Sequence, residues 1–250
     1  MSRPQHRAES GDLSRIALPG DTVPLLDPAL SQARVSYAGP ELVEEGLAPD
    51  PLTQFRAWYD RARDGGVTEP NAMTLATVDA AGLPSARTVL LKDAGAQGFT
   101  FFTNRLSRKG TELSAHPAAA FVLPWVALQR QVCVRGAVRP LSAEASAEYF
   151  ATRPWGSRIG AWASHQSQVI AGREPLEQRW AELAERWPDL GRPDDVPMPP
   201  HWGGYLVVPT EVEFWQGRPS RLHDRLVYMA QTPNPHLDDA SHWEVERREP

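Results

Sequence analysis

Near the C-terminal end, Glu213-Phe-Trp-Gln-Gly-Arg218 is followed by Arg221-Leu-His-Asp-Arg225, which gathers three arginines, a histidine, a tryptophan and a glutamine into a short stretch. An aromatic plane beside guanidinium forks and an imidazole suits a planar, anionic, redox-active ligand. The same residues also read as an amphipathic strand and turn whose charges face water. Three upstream clusters bear on that choice, because each holds groups suited to a phosphate dianion.

The first is Arg87-Thr-Val-Leu-Leu-Lys92. Residues 87, 89 and 91 of a regular strand share one face, so Arg87 and Lys92 point apart unless a bulge intervenes. Two anions, or one anion and one solvated charge, fit that parity better than a single clamp. In the second cluster, Thr103-Asn-Arg-Leu-Ser-Arg-Lys-Gly110, a strand runs into a helix N-terminus. Exposed N–H groups, the helix dipole and two adjacent cations favour an anion there. Arg108 and Lys109 sit at the end of the helix where the dipole disfavours cations, a cost that a bound phosphate would reverse; the alternative is a solvated basic turn. The third is Tyr149-Phe-Ala-Thr-Arg153-Pro-Trp-Gly-Ser157. Tyr149 and Arg153 share a helical face and Ser157 opens the next turn, so two hydroxyls and a guanidinium could hold one phosphate. Equally, the first two could pack and snorkel over a core edge. Two phosphate sites beside an aromatic segment imply two phosphorylated ligands, one a cofactor and one a substrate. The seven histidines show no HxH or HExxH spacing, so no metal site is expected. Cys133 lies among apolar strand residues, where an inert thiol is the default.

A meander of short strands must position these groups. The spacing predicts a helix over 51–63, then strands over 72–79, 85–92 and 98–103 with no room for crossover helices, hence an antiparallel sheet. A helix over 107–116 capped by Ser107 follows, then a hairpin of 118–125 and 129–139 whose second strand is long enough to bend around a barrel. Helices are expected over 142–152, 156–165 and 175–187, and strands over 203–216, 226–229 and 243–247. This is mainly β with helical additions (α+β), a small closed or split antiparallel barrel of six or seven strands. No glycine fingerprint supports a doubly wound fold.

The 250 residues fit one large domain or two small ones. Residues 1–36 read as a flexible tail, rich in scattered prolines, and 37–250 as a single domain. A net charge of −5 argues against general nucleic-acid binding. No apolar run approaches the ~20 residues of a membrane span, and no apolar stretch follows the N-terminal arginines as a secretory signal would require. One cysteine excludes an intrachain disulfide. A cytoplasmic protein is expected. Lys92 and Lys109 are the only lysines in an arginine-rich chain, and a point-like ammonium is used differently from a planar fork.

From about residue 34 onward the chain resembles the pyridoxamine/pyridoxine 5′-phosphate oxidase family, an FMN-binding split barrel. The matching stretches run in order: Glu69-Pro-Asn-Ala-Met73, Ala86–Lys92, Phe102-Thr-Asn104, Ser107-Arg-Lys-Gly110, Arg130-Gln-Val132, Tyr149-Phe150 with Arg153-Pro154, Gln166-Ser167, and the Glu213–Arg225 stretch. The resemblance implies a homodimer with FMN at the subunit interface. It implies flavin-phosphate contacts from Arg87, Arg108, Lys109, Gln166 and Ser167. Thr88, Val89, Leu90, Leu91, Lys92, Phe102, Thr103, Gln131, Trp215 and Arg225 would line the rest of the cofactor. Lys92, Tyr149, Arg153 and Ser157 would meet the substrate phosphate. Arg221 and His223 would flank the pyridine ring as the catalytic pair, lying on one face if the strand continues through them. Arg34 and Tyr37 would belong to an N-terminal segment folding over the site.

The implied reaction is oxidation of pyridoxamine or pyridoxine 5′-phosphate to pyridoxal 5′-phosphate, by hydride transfer from C4′ to the flavin, with oxygen reduced to hydrogen peroxide. Three positions depart from the family pattern. Phe102 stands where tyrosine is frequent, Cys133 where a large residue is usual, and Arg248 replaces an apolar anchor, which is expected to loosen the C-terminal edge. Two other readings are an oxidase or reductase of the same barrel acting on another planar metabolite, and a module that stores or senses a flavin or pyridoxal phosphate.

Overall fold

The computed structural model describes residues 28–33 and 35–250. The expected tail therefore lies largely outside the described residues; within it, Pro28–Ser31 forms one helical turn, α1. Helix α2 spans Pro51–Asp64. Asp50 caps it by accepting from the Thr53 amide at 2.8 Å, and Pro51 occupies the first turn, where its missing N–H costs nothing. Its stripe of Leu52, Phe55, Trp58 and Ala62 is buried, with Phe55 edge-on to Phe99 at 5.2 Å and Trp58 edge-on to Phe214 at 5.2 Å.

Eight antiparallel strands follow: β1 Ala72–Val78, β2 Pro84–Gly95, β3 Gly98–Asn104, β4 Ala118–Trp125, β5 Arg130–Pro140, β6 Trp202–Gln216, β7 Asp224–Ala230 and β8 Trp243–Arg247. They lie in the order β3-β2-β1-β4-β5-β6-β7-β8, and an additional β3–β6 pairing closes the first six into a barrel. The length of β6 makes this possible: residues 202–207 pair with β3, whereas residues 211–216 pair with β7. Strand β5 bends at a register shift between Arg135 and Gly136. A Cβ on Gly136 would stand 2.0 Å from the Val208 carbonyl oxygen, so only glycine fits the bend. Met73, Leu75, Phe99, Phe101, Leu123, Val132, Val207 and Phe214 fill the interior.

Helix α3, Arg108–Ala115, follows β3 directly, with the Ser107 side chain accepting from the Gly110 amide. Between β5 and β6 come α4 Ala143–Ala151, capped by Ser142, α5 Trp155–Ala163 and α6 Glu174–Arg186. The C-terminal edge differs from expectation. Arg248 pairs with Glu211 at 3.0 Å and Arg247 with Asp224 at 2.9 Å, so ion pairs hold β8 where an apolar anchor was missing.

The junction of β3 with α3 is tight. Helix propensity alone favours alanine over glycine by about 1 kcal/mol. At Gly110, however, a Cβ would lie 2.2 Å from the Arg105 carbonyl oxygen and 2.8 Å from its Cα, backbone that cannot swing aside. Gly110→Ala is therefore expected to destabilise the protein by about 1–3 kcal/mol. A lower denaturant midpoint at unchanged m-value would show this; an equal or higher midpoint would refute it.

Candidate functional site

A cavity of about 960 Å³ opens between β2, β3, the start of α3, the α4–α5 junction and residues 164–167. Fourteen of the residues singled out from sequence line it: Arg87, Thr88, Val89, Leu90, Lys92, Phe102, Thr103, Arg108, Lys109, Tyr149, Arg153, Ser157, Gln166 and Ser167. A bulge does intervene between Arg87 and Lys92. The β2–β3 register shifts between Leu91 and Asp93, and both cations line the same cavity. Leu91 departs from the expectation that it lines the cofactor. Its side chain is in the core, and Asn71 takes both its N–H and its carbonyl.

At the start of α3, Lys109 is buried and its ammonium donates to Gln166 at 3.0 Å, Thr103 at 3.2 Å and Ser107 at 3.3 Å. All three acceptors are neutral, and among the described residues no carboxylate lies within ion-pair distance of it. Burial, then the positive charge of Arg87, pushes the ammonium down to about 8 against the pull of Glu112. Ser167, held in a left-handed conformation (φ 73°), accepts from the Arg108 amide at 3.1 Å and so brings the 164–167 segment onto the helix N-terminus.

The sequence reading missed Glu112, whose side chain is 3% exposed. It accepts from Arg87 at 3.0 Å, from Arg108 Nε at 2.9 Å, from Ser85 at 2.7 and 2.8 Å on its two oxygens, and from Thr77. Burial raises its carboxyl, but the hydrogen bonds from Thr77, Ser85, Arg108 and Arg87 outweigh that and hold it at about 2. The available signal was its place four residues after Arg108, on the same helical face.

On the other wall, Phe102, Tyr149 and Trp202 stack nearly parallel: Phe102 lies 4.0 Å from Tyr149 and 5.2 Å from Trp202. Trp202 was also missed. Arg153 lies past the end of α4, not on its face, and its guanidinium sits over Trp202 at 4.9 Å. Its Nη1 is buried with no hydrogen-bond partner among the described residues, and burial lowers its pKa. An unpartnered buried guanidinium nitrogen beside a polar cavity fits an anionic ligand.

The remaining site residues lie elsewhere in the subunit. Tyr37, Gln131, Trp215, Arg221 and His223 line a second cavity of about 590 Å³. Gln131, Trp215 and Arg225 form one row across β5, β6 and β7. The condition for Arg221 and His223 to share a face, a strand continuing through them, is not met. Strand β6 gives way to a 3-10 turn in which Ser220 (φ 58°) and Arg221 (φ 64°) are both left-handed, so Arg221 is exposed on a turn. His223 stands 4.6 Å from Trp215 and 5.6 Å from Tyr37, and its Nδ1 accepts from the Arg218 amide at 3.0 Å. That bond puts the proton of the neutral ring on Nε2. The Tyr37 segment is tied down by Arg218, which donates to the Gly39 carbonyl at 2.7 Å and to Glu41 at 2.8 Å. Arg225 lines neither cavity, because it is paired with Glu213 at 2.7 Å. Arg34 lies outside the described residues. Burial, then Glu213, raises the Cys133 thiol to about 11, far from a reactive thiolate.

Residues 60–186 match the family described as Pyridoxamine 5′-phosphate oxidase, and residues 202–250 match the Pyridoxine 5′-phosphate oxidase C-terminal dimerisation region. A pyridoxine/pyridoxamine 5′-phosphate oxidase of Kineococcus radiotolerans is 54% identical over 217 residues, 87% of this chain and 97% of the relative. The protein of the same name from Cupriavidus necator is 52% identical over 221 residues, 88% of this chain and 99% of its own. Among solved structures, PhzG from Burkholderia lata, in complex with tetrahydrophenazine-1-carboxylic acid, superposes with a TM-score of 0.74 at 29% identity, covering 85% of this chain and 99% of that one. Among the described residues no helix is long and apolar enough to cross a membrane.

The charge state of Lys109 has a measurable consequence. Its ammonium loses its proton near pH 8, whereas an unfolded lysine keeps it to about 10.4. The burial penalty is therefore present below pH 8 and relieved as pH rises toward 10.4. Anion binding runs the other way. Affinity for inorganic phosphate, measured by calorimetry, is expected to fall as pH rises through about 8, and Lys109→Met should abolish that fall. A flat profile in the unmodified protein would contradict the assignment.

Proposed function

Because the chain belongs to the pyridoxamine 5′-phosphate oxidase family, we propose that it is an FMN-dependent oxidase converting pyridoxamine and pyridoxine 5′-phosphates to pyridoxal 5′-phosphate, with oxygen reduced to hydrogen peroxide. The observation that carries this reading is a pair of cationic groups in one cavity that have no carboxylate partner among the described residues. These are the buried Lys109 ammonium at the start of α3 and the orphaned Arg153 Nη1 at the α4–α5 junction. Two such groups fit two phosphates. Arg87, Arg108, Lys109, Gln166 and Ser167 would hold the FMN phosphate, and Lys92, Tyr149, Arg153 and Ser157 the substrate phosphate. When bound, FMN supplies the electron sink for the hydride leaving C4′ and passes the electrons on to oxygen.

The chain's own contribution is placement and charge. The Phe102–Tyr149–Trp202 stack gives Arg153 a flat apolar support, which limits its conformations and keeps its fork aimed. Arg221 would hold the substrate ring with its planar fork. His223 offers a neutral Nε2–H from a ring fixed by Arg218, so it orients and polarises and does not act as a base at that nitrogen. The match of residues 202–250 to a dimerisation region supports a homodimer. In that dimer the Tyr37, Gln131, Trp215, Arg221 and His223 cavity of one subunit would complete the Lys109–Arg153 cavity of its partner, with residues 37–250 acting as one oxidase domain.

Anaerobic addition of pyridoxamine 5′-phosphate to the yellow protein is expected to bleach its visible flavin spectrum, and admitted air should restore it with release of peroxide. Bound FMN that stays oxidised would reject the oxidase in favour of a binding module. Bleaching by substrates lacking a phosphate would favour an oxidase of another planar metabolite.

The two phosphate assignments separate by mutation. Arg153→Ala is expected to weaken substrate binding by about 1.5–3 kcal/mol, seen in KM, while flavin content stays near normal. Arg108→Ala should instead lower flavin retention after gel filtration. The opposite pattern would exchange the two sites.

A further inference from the structure

Outside the groups assigned to ligands, the least exposed carboxylate facing this cavity's cations is Glu112. It joins three elements: Thr77 of β1, Ser85 and Arg87 of β2, and Arg108 of α3 all donate to it. Arg108 binds it through Nε alone, and among the described residues no other side-chain hydrogen bond holds that guanidinium. Arg87 uses its Nη groups on Leu75, Thr77, Ser85 and Glu112, which leaves its Nε edge. Glu112 therefore takes one donor from each guanidinium, leaving Arg87 its Nε–H and Arg108 both Nη groups. It is also the only carboxylate paired with either arginine among the described residues. Together with Arg87, Arg108 and Lys109 it leaves the cluster at about +2, the charge that a phosphate monoester dianion balances.

We propose that Glu112 is a positioning residue for the cofactor phosphate: it holds Arg87 and Arg108 at the cavity with their remaining N–H groups free for it and sets the charge of the cluster to match a dianion. This rests on the FMN reading above. Against that role stands simple electrostatics, since a carboxylate beside the site repels phosphate. Orientation outweighs repulsion here because the charge of Glu112 is already engaged by four donors, while an untethered arginine must lose its rotamer freedom at the moment of binding.

The test measures flavin affinity of the apoprotein by fluorescence quenching, comparing FMN with riboflavin, which shares the ring system and lacks the phosphate. Glu112→Gln keeps the shape but turns part of the acceptor edge into a donor. It is expected to weaken FMN binding about ten- to a hundredfold while leaving riboflavin binding unchanged. Glu112→Asp keeps the charge but withdraws it by one methylene, so it should lose FMN affinity selectively as well, and it decides the matter should E112Q fail to fold. Equal losses for FMN and riboflavin would reduce Glu112 to a structural role. FMN bound as tightly as by the unmodified protein, or more tightly, would overturn the proposal by showing that repulsion dominates. An unmodified apoprotein that does not prefer FMN to riboflavin would instead sink the FMN reading itself.

Discussion

A carboxylate and a guanidinium, Glu112 and Arg87, meet at 3.0 Å with side chains only 3% and 20% exposed, and much of the structure depends on that contact. It fastens α3 to the outside of β1 and β2, and α3 is the helix whose N-terminus presents Lys109 to the main cavity. Leaving a buried charge without its partner costs about 3–5 kcal/mol. The helix and the sheet are consequently hard to separate, and the phosphate-suited end of the cavity inherits the rigidity of the barrel wall.

The two retained lysines fit the geometry in a way arginine would not. Lys109 fills a narrow space among Thr103, Ser107 and Gln166, where three short donor–acceptor contacts converge on one nitrogen. A planar guanidinium spreads its donors in a fork and suits flat partners, as Arg153 does above Trp202. Lys92 is exposed at the bulge of β2 and lines the cavity that Arg87 also lines. Lys109 thus puts a point charge where burial confines it, while planar forks sit where an aromatic face or a carboxylate can guide them.

The cavity lined by Tyr37, Trp215 and His223 is separate from the one lined by Lys109 and Arg153. Trp215, His223 and Tyr37 cluster around the end of β6, supported by Arg218 and its bonds to Gly39 and Glu41. The left-handed residues Ser220 and Arg221 break the line of β6 and β7 and set Arg221 on an exposed turn, a conformation that costs non-glycine residues roughly 1–3 kcal/mol each. Such strain is tolerated because flanking strands with a shared register hold both ends of the turn.

By itself, the sequence determined the elements and the chemistry of the main cavity. Apolar runs and turn residues pointed to six or seven strands where the fold has eight, Ser107 and Ser142 announced their helices, and the motif around Ser107-Arg-Lys-Gly110 offered the groups an anion site needs. These features are local, since strand alternation, side-chain caps and helix dipoles act over a few residues. Only the tertiary structure decided how distant groups meet. Glu112 could not be singled out, because an acidic residue four places after an arginine ordinarily lies on a solvated face; its burial comes from β1 and β2 passing over it. The bulge that brings Lys92 to the Arg87 cavity arises from pairing with β3, and the orphaned nitrogen of Arg153 from packing against Trp202 nearly fifty residues away. The charge at Arg248 looked disruptive in sequence and is a tether in the fold, since it reaches across β7 to Glu211 on β6.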